Sequence, residues 1–310
     1  MLADPRTGRQ HALAVLQGLL VTFLWSTSWV LIKIGLDDLD LRPLSFAGLR
    51  YAVAALVLLP FGIRAIRARG GRPLDRRVVA AVALYGLLFV AVAQGAQFAA
   101  LAVLPATAVN LVLSSIPVAV AAAALLGRSE RPTLLQAAGI ALLLVGAVMY
   151  FGPFEPASGA ALGLLAAGIC VVASAASAHL GRRLARTGMP RLGGPIGVTA
   201  ASMGVGAAVL LAVGVAVEGW PALDARGWLI VGWLAVVNTA FAFTLWNHTL
   251  RTLTAVESSV VNNTMTIQIA VLAIGFLGER LEPLQLLGLL VAAAGAAVVQ
   301  LAPALRLPRP

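Results

Sequence analysis

Two polar stripes recur at one spacing inside apolar sequence. Asn110, Ser114 and Pro117 lie at i, i+4 and i+7, and Ser259, Asn263 and Thr266 lie at the same spacing further on. Residues so spaced share one face of a helix. An amide or hydroxyl both donates and accepts hydrogen bonds, so such a face suits an uncharged polar solute group or a neighbouring helix. Gln94 and Gln97, at i and i+3, add two more amides, and Trp246, Asn247 and His248 form a mixed aromatic and polar end to another run. The stretch "TFLWSTSWVLIKIG", Thr22 to Gly35, sets Trp25, Ser26, Thr27, Ser28 and Trp29 in the middle of a greasy segment. A tryptophan there offers a flat apolar wall with one N–H. These groups bind and orient, but they do not catalyse. The apolar runs hold no H-E-x-x-H, no paired acids and no convincing Ser/His/Asp set. Cys170 is the single cysteine, so no intrachain disulfide forms and a thiolate metal site is not expected. The chain reads as no enzyme, with neither cofactor nor metal.

Few ionisable residues lie within the runs. Lys33 and Arg50 fall near the ends of the first two. The simpler reading is that both snorkel toward headgroups and pair with Asp37, Asp38 or Asp40; the other is that they touch substrate as gating or coupling groups. Glu257 stands at the edge of a run and either faces water, pairs with Arg251, or gates and couples. His248 and His179 are read as solvated at an interface, with proton handling as the alternative. Trp246 has two readings of equal weight, an interfacial belt residue and a cavity lining.

The elements that must position these groups are membrane helices. Of 310 residues, 60% are hydrophobic and 11% charged, against about a quarter charged in soluble domains; the mean hydropathy is +0.95. Ten runs are long enough to cross a bilayer: roughly 12–35, 44–62, 78–101, 104–126, 133–151, 159–182, 195–217, 227–248, 255–277 and 283–301. Only "VLPA" separates the third from the fourth. With the runs placed alternately, seventeen of the 22 basic residues fall on the side of the termini and three, Arg42, Arg226 and Arg280, on the other. The positive-inside rule then puts both termini in the cytoplasm. The net charge of +10 is thereby a topology signal, not a nucleic-acid footprint. The first run is too long for a cleavable signal peptide.

The chain also repeats itself. "LLQAAGIALLLVGAV" aligns with "PLQLLGLLVAAAGAA", so that Gln136, Gly139 and Gly146 fall on Gln285, Gly288 and Gly295. The same offset of 149 pairs Leu101 with Leu250, Leu104 with Leu253 and Ala106 with Ala255, and maps one polar stripe onto the other. Five helices per half is an odd number, so the halves, 1–153 and 154–310, must be inverted in the membrane. The fold class is therefore all-α and polytopic, two inverted five-helix repeats around a central cavity, as in many secondary transporters. Expected partners are a small-molecule substrate and the lipid bilayer, with the chain as monomer or homodimer. The matched glycines, seven apart, read as packing surfaces.

Three stretches, "LWSTSWVLIKIGL", "PLSFAGLRYAVAAL" and "FLGERLEPLQLLGLLVAAAGAAVV", resemble the EamA-like ten-helix carriers of the drug/metabolite transporter superfamily. "LLGRSERPTLLQAAGIALLLVGAVM" is a weaker copy of the last, departing from the pattern at Ser129. The resemblance covers essentially the whole chain. It implies a cavity lined mainly by helices 1, 3, 4, 6, 8 and 9, with helices 5 and 10 in support. It also implies export of small metabolites, such as amino acids or amphipathic compounds, at a bacterial inner membrane. A passive facilitator or channel for small solutes is the alternative function, and a membrane-embedded enzyme the remote one.

Overall fold

The computed structural model describes residues 5–68, 75–126, 133–152, 159–187 and 192–302. Among them there are helices and connectors but no strand, as expected of backbone that must satisfy its own hydrogen bonds in hydrocarbon. Among the described residues ten helices are long and apolar enough to cross a membrane: α1 Gln10–Asp37, α2 Pro43–Arg67, α3 Arg76–Val103, α4 Ala106–Ala123, α5 Leu134–Phe151, α6 Ala160–Leu184, α7 Pro195–Glu218, α8 Ala225–Thr249, α9 Glu257–Leu277 and α10 Pro283–Leu301. Each falls on a run predicted from hydropathy. The short "VLPA" connector does divide two helices, because Pro105 stands as the N-cap of α4. The segment containing Ser129 lies outside the described residues.

Three helices depart from plain α geometry. In α4 a break at Ser114–Ser115 precedes Pro117, which has no N–H to offer the turn before it. Within α3 the residues Leu87–Gln94 form a π-helical stretch, and within α8 the residues Val236–Phe241 form another. Leu87 and Val236, where the two stretches begin, are related by the repeat offset.

Packing sorts the chain into two compact units that do not follow the sequence halves. The first holds Met1–Val30, Pro105–Pro156 and Ala242–Pro310; the second holds Leu31–Leu104 and Ala157–Phe241. Two of the four boundaries between them fall inside helices, α1 and α8. In the first unit α5 packs closely on α10. A Cβ on Gly288 would stand 2.7 Å from the Gly146 carbonyl oxygen, so the matched glycines are packing surfaces, as expected from the sequence. In the second unit α2 packs closely on α7, where a Cβ on Gly214 would stand 2.7 Å from the Ser45 Cα.

Each unit also closes one helix N-terminus with a carboxylate from elsewhere in the chain. Glu218, at the end of α7, accepts from the Leu44 and Ser45 N–H groups of α2 at 3.1 and 2.8 Å. Glu279, just after α9, accepts from the Ala106 and Thr107 N–H groups of α4 at 2.5 and 3.2 Å, and from the Thr107 hydroxyl at 2.6 Å. These N–H groups have no partner within their own helix, and the positive end of the helix dipole favours the negative charge.

Candidate functional site

In the first unit the middle of α1 carries an aromatic cluster. The Trp25 ring lies 5.3 Å from that of Phe243 and 5.4 Å from that of Trp246, both tilted. Trp25 Nε1 is buried and has no acceptor among the described residues. On the same helix Ser26 Oγ donates to Gln268 Oε1 at 2.9 Å, and Gln268 Nε2 donates to Thr264 Oγ1 at 3.2 Å and to Thr22 Oγ1 at 3.4 Å. A hydroxyl and amide network thus joins α1 to α9. The Ser28 and Thr27 hydroxyls turn back onto the carbonyls of Trp25 and Leu24.

Both matched amides hold helices together. Asn110 Nδ2 donates to the Thr266 carbonyl at 3.2 Å, and Asn263 Nδ2 donates to the Ala293 carbonyl at 3.3 Å. The Ser114 hydroxyl donates to the Asn110 carbonyl at 2.9 Å. Ser259, Trp246 and Asn247 are half-buried, whereas His248 is exposed. Glu257 does not pair with Arg251. It forms a capping box with Thr254, and its Oε1 lies 3.1 Å from His11 Nε2. The N–H and hydroxyl of the N-cap residue Thr254 both donate to Glu257 Oε2, and His11 stands beside the other oxygen.

In the second unit Lys33 Nζ bonds Asp37 Oδ1 at 3.2 Å, as the pairing argument expected, and also the Leu101 carbonyl at 2.9 Å. Asp38 pairs with Arg226 at 3.2 Å. Arg50 corrects the snorkelling expectation. It is buried, with 4% of its surface exposed, and its Nε donates to Thr239 Oγ1 at 3.1 Å. The physical reason is local: the Tyr51 and Phe98 rings stand 5.1 and 5.9 Å from the guanidinium carbon and hold it by cation–π attraction. Gln94 accepts from the Tyr51 hydroxyl at 2.7 Å, and Gln97 is buried.

The EamA-like transporter family model matches the chain twice, at residues 12–152 and 161–301. The chain belongs to the EamA-like transporter family. It is accordingly a multi-pass membrane transporter of small solutes. A solved crystal structure, titled only as that of a protein, is similar at a TM-score of 0.62 and 22% identity, covering 93% of this chain and 98% of its own; the likeness is one of fold. No curated protein matches.

In this EamA-like transporter Trp25 comes together with Trp246, and Ser26 with Gln268, all in the first unit. Gln94, Gln97, Lys33 and Arg50 belong to the second. Several groups escaped the sequence reading: Thr22, Thr264 and Gln268, the Tyr51–Gln94 pair, Thr239, and the two capping glutamates. Thr264 and Gln268 are themselves at i and i+4, a spacing visible in the sequence but eclipsed by the adjacent stripe. Among the described residues no cluster of three or more His, Cys, Asp or Glu could hold a metal ion.

Proposed function

We propose that the chain is a secondary transporter that exports small metabolites, such as amino acids or amphipathic compounds, by alternating access. On this reading it lies in a bacterial inner membrane with both termini cytoplasmic. The observation that supports alternating access is the equivalence of the halves. The family model matches each half once, and both α3 and α8 leave α geometry at positions related by the repeat. A π-helical stretch loosens the regular ladder of hydrogen bonds and is frequent at functional sites. Two such stretches at equivalent places give each repeat its own deformable helix, which suits two gates that open in turn.

The test is flux through purified protein in liposomes. Uptake that saturates, and that accelerates when unlabelled solute is loaded on the far side, identifies a carrier. Linear uptake without that acceleration identifies a passive facilitator and refutes the proposal. Direction is read from inside-out vesicles of the producing cell, where an exporter accumulates its solute.

A further inference from the structure

Arg50 is a buried cation without a counter-anion among the described residues. Its Nε is tied to Thr239 Oγ1, which itself donates to the Leu234 carbonyl at 2.8 Å. Thr239 lies in the π-helical stretch of α8, so the arginine is oriented by a helix that departs from α geometry. Two aromatic rings, Tyr51 and Phe98, flank the guanidinium. Acids of the second unit have partners of their own: Asp37 meets Lys33, Asp38 meets Arg226, and Glu218 accepts from backbone N–H groups of α2. None of the ion pairs among the described residues includes Arg50. Its two Nη atoms have no protein acceptor there, yet they are not sealed away as Trp25 Nε1 is. The guanidinium fork is therefore left with N–H donors that no described residue takes up.

A buried charge with no partner is strongly unfavourable, and an ionisable residue within a membrane span marks a substrate route by default. We propose that Arg50 is the anchor for a single carboxylate of the transported solute, an inference that rests on the transport reading above. The planar fork matches a carboxylate with two parallel N–H···O bonds from Nη1 and Nη2. The ring faces of Tyr51 and Phe98 keep water from the pair and strengthen it. One cation balances one negative charge. Lys33 of α1 already pairs with Asp37, so it does not meet the second charge that a phosphate dianion would bring.

The experiment uses the full chain in detergent and in liposomes, with matched probes: L-leucine against L-leucinamide, 3-phenylpropionate against 3-phenylpropionamide, and phenyl phosphate. Binding is read as ligand-induced thermal stabilisation over a concentration series. The expected result on the wild type is that at least one carboxylate binds roughly 30- to 5,000-fold more tightly than its amide, the range found when one partner of a buried charged pair is lost. Arg50→Gln should bring that ratio close to one, and Arg50→Lys should keep a reduced preference. Thr239→Val, which retains the charge but frees Nε, should lower the ratio by several-fold, and it serves where Arg50→Gln fails to fold. The proposal is overturned if no carboxylate is preferred over its amide on the wild type, if Arg50→Gln keeps the preference, or if phenyl phosphate binds more tightly than the carboxylates. Saturable flux of the preferred carboxylate is measured separately. A carboxylate preference without such flux would remove the transport reading and leave the anchor in place.

Discussion

Replacing Glu279 with alanine should loosen the first unit from the N-terminus of α4 outward. Three bonds end on this one carboxylate, two from backbone N–H groups and one from the fully buried Thr107 hydroxyl, which also pairs with Tyr150 Oη at 2.7 Å. A hydrogen bond to a charged group contributes about 1.5–3 kcal/mol, and an N-cap deletion costs about 0.5–2 kcal/mol. The three bonds share one anchor and do not add. The freed N–H groups lie near the helix end, whereas the Thr107 hydroxyl keeps only Tyr150. The expected loss for Glu279→Ala is about 2–4 kcal/mol. Glu279→Gln keeps an acceptor oxygen but removes the charge that meets the helix dipole, and should lose about half as much. Glu218→Ala, with two backbone bonds and no hydroxyl, should lose about 1–3 kcal/mol. The assay is reversible unfolding in mixed SDS and maltoside micelles, followed by the fluorescence of the six tryptophans. Were Glu279→Ala to unfold within about 0.5 kcal/mol of the wild type, as an ordinary surface change does, the carboxylate would not be closing α4 and the argument would fail.

Gly146→Leu should separate α5 from α10, because a Cβ there already meets the Ala292 Cα at 2.8 Å; the protein should be lost from the membrane fraction, and normal abundance would contradict the close packing. Trp25→Phe keeps the ring contacts but removes the buried, partnerless Nε1–H, so stability in the same micelles should be unchanged or raised by up to about 1 kcal/mol; a loss beyond that would reveal an acceptor for the indole. Asn110→Ala and Asn263→Ala each remove one interhelical bond and should cost about 0.6 kcal/mol, at most about 1.7; if they also weaken transport more than ten-fold at normal abundance, the amides serve the solute as well as the helices. A periplasm-active reporter should be silent after Leu301 and active after residue 153, and the reverse pattern would overturn the orientation drawn from the arginines.

The ten spans were legible in the sequence for a simple reason. Hydrocarbon excludes unsatisfied backbone, so a run of about 20 apolar residues has to become a helix. Pro105 and Pro117 stand at a helix start and a helix break, and a missing N–H acts locally, whatever lies around it. The repeat was legible too, since Gly139, Gly146, Gly288 and Gly295 occupy matched places where only the absence of a side chain lets two backbones approach.

What faces what was decided by tertiary structure alone. In water, a helix advertises its buried face by apolar residues on one side. In a bilayer, lipid is as apolar as a protein core, so Leu56, exposed, and Leu58, buried, look alike in the sequence. Hydropathy therefore could not say that α2 packs on α7, or that the compact units cut through α1 and α8 and do not follow the halves. It could not say that Ser26 meets Gln268, 242 residues away. Arg50 shows the same limit most clearly. Its place near a helix end predicts a side chain reaching for headgroups, and only the positions of Tyr51, Phe98 and Thr239 turn it inward. A charge's depth is set by the partners that surround it, and two of these, Phe98 of α3 and Thr239 of α8, are brought beside α2 only when the chain folds.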